Sequence, residues 1–279
     1  MCELFGLSAS HPVGVRFSFE EFARHGGGTG PHADGWGVAF YSGCDVRWVR
    51  EPEPASTSAC ARLIGEQNWS SRLVISHIRR TTQGARELAN THPFVRRFAG
   101  RAHVFAHNGD LVGFRFQPMR HSPCARWLLP IGQTDSEAAF CALLAELSNE
   151  TDGDTGEQGL PPLERRIGVV REFARSAARY GPANFLYCDG DALFAFSHWR
   201  RVTGPTVGGL HMLCHRCQGK PPDLEAADLA LWAQEEQEES SWVVFASVPL
   251  TAAAWEELPV GTMVVVREGQ VVLPTAVGD

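Results

Sequence analysis

Hydrophobic and polar positions along this chain alternate in short runs bounded by turn residues, with few long helical stripes. The runs predict strands at 36–41, 45–50, 72–78, 102–107, 184–197, 208–214, 241–247 and 262–274. Asp189-Gly190 divides 184–197 into a hairpin, and Gly269 does the same between Val264-Val265-Val266 and Val271-Val272. Helical periodicity is strongest at 134–147, where Thr134 can cap and Glu137 lies three residues on. A second helix is expected over about 163–180, ending before Gly181-Pro182. The run Glu235-Glu236-Gln237-Glu238-Glu239 reads as the end of a solvated helix. Strands in hairpin-like succession with helices grouped between them favour an antiparallel-rich α+β sandwich over a doubly wound parallel sheet.

Residues 149–162 are the clearest low-hydrophobicity stretch, yet strand-rich sequence resumes on both sides. They read as a mobile acidic loop inside one domain spanning residues 1–279. Apolar residues make up 44% of the chain and charged residues 20%, which is globular rather than disordered usage. Lys+Arg total 25 against 32 Asp+Glu, a net charge of −7, the wrong sign for gripping nucleic acid or an anionic membrane. No apolar run approaches the ~18 residues of a spanning helix. Met-Cys-Glu-Leu-Phe-Gly has no positive region ahead of an apolar stretch, so a cytoplasmic protein is expected.

The 8 cysteines are too scattered for a disulfide framework. Only Cys214 and Cys217 have metal or redox spacing, and one pair lacks the other half of a zinc site. They are expected to be thiols, and no metal site is expected.

Cys2 has a sharper chemical meaning. Removal of Met1 would leave a thiol beside an α-amino group with a pKa near ~7.7–8.0, a built-in proton acceptor. Arg79 follows the strand pattern Leu73-Val74-Ile75 and should emerge at a strand end; alternation sends its neighbour Arg80 to the other face. His107-Asn108-Gly109 likewise ends a strand and offers an amide donor and a closely approaching backbone N–H, the ingredients of an oxyanion hole. Asp135 stands just before the capped helix. An Arg and an Asp together can read the carboxylate and ammonium of a free α-amino acid. The glycine-rich block 26–30 lacks the Gly-Lys-Ser/Thr ending of a phosphate loop.

Cys at residue 2, His77-Ile78-Arg79, His107-Asn108-Gly109 and Thr134-Asp135-Ser136-Glu137, in that order, resemble the class-II, N-terminal-nucleophile glutamine amidotransferases. The blocks at 26–37 and Asn90-Thr91-His92-Pro93-Phe94 bring the likeness closest to the stand-alone bacterial type. Ala246-Ser247, followed by Pro249-Leu250-Thr251, also fits. The resemblance implies a four-layer α/β/β/α sandwich of two mostly antiparallel sheets, the Ntn-hydrolase type. It implies that Cys2 attacks the glutamine side-chain amide, with its own amine as base, and that Asn108 and Gly109 stabilise the oxyanion. Arg79 would bind the α-carboxylate and Asp135 the α-ammonium. A γ-glutamyl thioester would then be hydrolysed to glutamate without any cofactor. Trp36, His77 and Thr82 are candidates to line the pocket, and Thr82 with Gly84 sits where related sequences place a loop over glutamine.

Amidotransferases that make amino sugars, purine precursors or asparagine carry a large acceptor domain. Here the strand-rich pattern simply continues after residue 137, so no separate acceptor or synthase domain is expected. Either an ammonia-accepting partner protein exists, or the chain hydrolyses glutamine or a larger γ-glutamyl amide. A non-catalytic glutamine-sensing or scaffolding subunit is the alternative from another class; it would need Arg79 and Asp135 but not Cys2 or Asn108.

Overall fold

The computed structural model describes residues 2–17, 25–67, 69–81, 84–116, 128–150, 159–200, 207–215, 229–233 and 240–276. The first large sheet contains β1 (Glu3–Phe17), β2 (Trp36–Ser42), β3 (Asp45–Glu51) and β4 (Ser70–Ile78). The second begins with β5 (Phe94–Phe98) and β6 (Arg101–Asn108). It continues with β7 (Asn184–Cys188) and β8 (Ala192–Ser197). Two short strands, β9 (Trp199–Arg200) and β10 (Val207–Gly208), pair with each other. The chain then returns to the first sheet with β11 (His211–His215), β12 (Leu229–Ala233), β13 (Trp242–Ala246) and β14 (Glu256–Glu257). Finally β15 (Thr262–Arg267) and β16 (Gln270–Ala276) complete the second sheet. Among the described residues the α-helices are α1 (Ala59–Glu66), α2 (Asp135–Asn149) and α3 (Leu163–Ala178).

The first sheet runs in the order β14-β11-β13-β1-β4-β2-β3, with β12 also on β1, and the second in the order β16-β15-β8-β7-β6-β5. All their pairings are antiparallel. Three apolar layers explain the stacking. Leu4, Ile75 and Phe245 of the first sheet meet Val104, Leu186 and Val264 of the second. Phe5, Leu7 and Val74, one step out of phase, turn outward onto Ala61 and Ile64 of α1. Phe105, Phe185 and Val265 turn outward onto Phe140, Leu144 and Phe173 of α2 and α3. The result is the α/β/β/α sandwich. Phe105 stacks on Phe140 with ring centroids 5.3 Å apart, an offset aromatic pair that adds about 1 kcal/mol to simple burial.

The predicted strands and the helices predicted at 134–147 and about 163–180 are present, with the hairpins at Gly190 and Gly269. Thr134 caps α2, its hydroxyl accepting from Glu137 N at 3.2 Å, a contact typically worth about 1 kcal/mol. Asp135 is the first residue of that helix rather than a residue before it. The long central strand β1, edge strand β5 and helix α1 were not apparent from periodicity. Glu3–Ala9 of β1, flanked by β4 and β13, are buried on both faces, which removes the alternation that betrays a half-exposed strand. Most of the acidic loop and the whole Glu235–Glu239 run lie outside the described residues, and Leu229–Ala233 just ahead of that run pairs with β1 as a strand, not a helix.

Candidate active site

Strand alternation decides which side chains converge. In β1 the inward positions are Leu4 and Gly6, so Cys2, two residues earlier, falls on the inter-sheet side at one pole of the sandwich. In β4 the same face carries Ile75 and His77 and continues to Arg79; in β6 it carries Val104 and Ala106 and ends at Asn108. Register brings the three ends together, since Glu3 pairs with Ile78 in one sheet and Asn108 pairs with Asn184 in the other.

Cys2 is half-buried. Its thiol donates to the Arg80 carbonyl at 3.3 Å, and Arg80 N–H donates to the sulfur at 3.2 Å. Burial pushes the Cys2 thiol above its ordinary value; the Arg80 N–H and the Arg79 charge pull it back. Arg80 thus contributes through its backbone while its side chain is exposed, and Arg79 is the buried guanidinium of the pair. Backbone contributions of this kind leave no mark in sequence.

Arg79 donates to the carbonyls of Ala85 (3.2 Å) and Gly84 (3.4 Å). Its main chain pairs with the preceding loop, Arg79 N–H donating to Gly35 O at 2.8 Å and Asp34 N–H to Arg79 O at 3.1 Å. Asp34 also accepts from Thr81 N at 2.8 Å, so the Asp34-Gly35 segment of the glycine-rich block props up this strand end.

Asn108 donates from Nδ2 to the Cys2 carbonyl at 2.5 Å and to Ser247 Oγ at 3.5 Å. Ser247 in turn accepts from Leu4 N at 3.0 Å. Asn184 holds the other end of the turn, donating to Asn108 O at 3.1 Å and accepting from His198 N at 2.7 Å. Gly109 approaches so closely that a Cβ there would collide with the Pro182 carbonyl. Ser247 lay in a noted motif, whereas Asn184, at the start of an ordinary-looking strand, carried no signal.

Asp135 is buried, with Oδ2 accepting from Leu111 N at 2.6 Å and Oδ1 from Ser136 N at 2.7 Å. His107 donates from Nε2 to Pro182 O at 3.2 Å, and its Nδ1 is hydrogen-bonded to the Ser136 hydroxyl at 2.9 Å, which also lies 3.2 Å from Asp135 Oδ1. Burial lowers its pKa while the Asp135 charge pulls the other way, and its hydrogen bonds tie the end of β6 to the α2 terminus.

Two expected pocket residues stand elsewhere. Trp36 is fully buried on the outer face of the first sheet, packed with Phe5, Val38 and Ile78 and donating to Glu51 at 3.1 Å. It belongs to the core because the first residue of β2 alternates onto that face. His77 is fully buried between the sheets with its ring 4.2 Å from that of His92, and burial lowers both pKa values well below the usual histidine range. Thr82 lies outside the described residues. Cys214, expected as a thiol, is disulfide-bonded, and Cys217 lies outside the described residues.

A cysteine leading the central strand of two stacked antiparallel sheets, opposite an Asn-Gly turn, is the arrangement of the Ntn-hydrolase fold. The sequence model of the class-II glutamine amidotransferases matches residues 1–277, and this chain belongs to that family. YafJ of Escherichia coli (strain K12), which carries the glutamine amidotransferase name, is 37% identical over 207 residues, covering 71% of this chain and 75% of YafJ. A crystal structure from Pseudomonas aeruginosa PA01, itself a predicted glutamine amidotransferase, superposes with a TM-score of 0.67 at 32% identity, covering 98% of this chain and all of the other. Glutamine phosphoribosylpyrophosphate amidotransferase of Bacillus subtilis shares the fold at a TM-score of 0.57 and 13% identity, this chain spanning 49% of its length. No helix among the described residues is long and apolar enough to cross a membrane.

Proposed function

We propose that this chain hydrolyses the side-chain amide of glutamine with Cys2 as nucleophile, once Met1 has been removed. The observation that carries the reading is the meeting of Cys2, the Arg80 N–H, Asn108 and Arg79 at one pole, with Asp135 tied to the turn that follows Asn108. Burial disfavours the thiolate, so the reaction needs a base at hand; the Cys2 α-amine is that base, taking the thiol proton through a water. Sulfur adds to the amide carbon, and the resulting oxyanion is met by the Asn108 carboxamide and Gly109 N–H. The tetrahedral species collapses as the amine's proton passes to the leaving nitrogen, releasing ammonia and leaving a γ-glutamyl thioester. Water then adds to the thioester, and glutamate leaves as the thiol is restored. Arg79 takes the substrate α-carboxylate as a fork and Asp135 the α-ammonium. The same two charges serve a larger γ-glutamyl amide, and a partner protein is the natural recipient of ammonia that is not simply released.

The test is intact mass and peptide mapping after exposure to 6-diazo-5-oxo-L-norleucine, a reactive glutamine analogue. Loss of Met1 with a single adduct on Cys2 is expected. Processed protein that stays unmodified, or is modified at another residue, overturns the assignment of the nucleophile.

A further inference from the structure

We infer that Asn90 is a positioning residue that locks the loop holding Arg79 to the loop leading into Asp135, so that the two ends of a bound α-amino acid are gripped at one fixed separation. The inference rests on the proposed roles of Arg79 and Asp135. Asn90 is fully buried, and its side-chain hydrogen bonds go to Ala85 and Gln133. Its Nδ2 donates to Ala85 O at 3.0 Å, the same carbonyl that accepts from Arg79. Nδ2 also donates to Gln133 Oε1 at 3.1 Å, while Oδ1 accepts from Gln133 N at 2.8 Å. Gln133 directly precedes Thr134, the cap of the helix on which Asp135 is the first residue. One carboxamide therefore uses both donors and its acceptor to join two loops that are 43 residues apart in sequence.

Both loops meet this amide with a glycine. At Gly84, with φ +75°, a Cβ would sit 3.0 Å from Asn90 Nδ2; at Gly132 a Cβ would collide with Asn90 Oδ1. Further bonds make each side rigid. Glu137 accepts from Gly132 N at 2.6 Å and pairs with Arg96. Arg86 donates to Ala33 O at 2.6 Å, fixing the first loop to the Asp34 segment. With each side rigid, Asn90 is the joint that decides how far apart they stand. Preorganisation of this kind strengthens binding only of ligands that engage both sides.

That condition supplies a readout that general loss of structure would not move. The full-length, Met1-processed enzyme is assayed for the KM of L-glutamine and for the competitive inhibition constant of glutaramate, which is glutamine without its α-amino group. Asn90→Asp keeps the shape and the acceptor for Gln133 N but sets an oxygen against Ala85 O. It is expected to raise the glutamine KM roughly tenfold with kcat within about threefold, as loss of two hydrogen bonds would, and to leave the glutaramate constant within about twofold. Gln133→Ala, at an exposed position that tolerates change, is expected to show the same asymmetry at roughly threefold, so a misfolded Asn90 variant does not end the test. Equal shifts for both ligands, or no shift for either, overturn the inference. Arg79→Ala separates the two layers of argument. If it leaves both constants unchanged, the proposed clamp itself fails; if it raises both while Asn90→Asp moves them equally, the clamp stands and the role of Asn90 falls.

Discussion

At the pole of the sandwich away from Cys2, Arg166 sets its two terminal nitrogens on Asp189 at 2.5 Å and Asp191 at 2.6 Å, and Arg267 adds a contact to Asp191 at 3.0 Å. At the Cys2 pole, Arg79 donates to two neutral carbonyls and Asp135 accepts from two backbone N–H groups. Both regions bury an arginine and an aspartate at the ends of the sheets. In the first, opposite charges meet and close a structural network. In the second, backbone carbonyls orient the Arg79 guanidinium and backbone N–H groups orient the Asp135 carboxylate, as the proposed clamp requires.

The sharpest break between the poles comes from Cys2→Ala, which is expected to abolish glutamate formation from glutamine while the thermal midpoint stays within a few degrees. Residual turnover near the parent rate would remove Cys2 from the chemistry. The same loss is expected of protein that keeps Met1, because its amine is displaced from the thiol; mass spectrometry of active and inactive fractions reads this directly. At the far pole, Arg166→Ala should lower unfolding free energy by about 3–5 kcal/mol by stranding Asp189, and leave kcat per folded molecule unchanged. A fall in kcat without loss of stability would show that the two poles are coupled. Asn108→Ala should lower kcat by about 10²–10³, as for loss of one oxyanion donor, with a smaller change in KM. Unchanged turnover would take the Asn108 side chain out of the proposed mechanism.

Histidines give the mildest contrast. His103 is buried, bonded to Tyr187 at 2.7 Å and Phe98 O at 3.1 Å, and burial lowers its pKa to about 4. Its folded value lies below its unfolded value, so its contribution is fully present above about pH 6.5 and is lost as pH falls toward 4. The loss should be on the order of 3 kcal/mol for His103, with His77 and His92 acting in the same direction. Urea unfolding at pH 7.5 and 5, with and without His103→Asn, checks this; an equal pH slope in both proteins would assign the effect elsewhere.

Much of this organisation is legible before folding. Alternation marks the half-exposed strands, Thr134 and Glu137 mark a helix start, and Gly190 and Gly269 mark hairpins, because each signal is local and needs no distant partner. The ordered motifs around Cys2, Arg79, Asn108 and Asp135 name the family by residue type alone. Other features exist only once the sheets are stacked. Glu3–Ala9 of β1 show no alternation because both faces are covered, and Trp36 sits among motif residues yet alternates into the core. The Arg80 N–H beside the sulfur, Asn184 under the Asn-Gly turn and Asn90 between its two loops act through hydrogen bonds to residues far away in sequence. A sequence therefore determined which chemical groups this chain carries and where its local turns fall. Only tertiary structure decided which of those groups meet, because strand register and sheet packing set distances that no local pattern encodes.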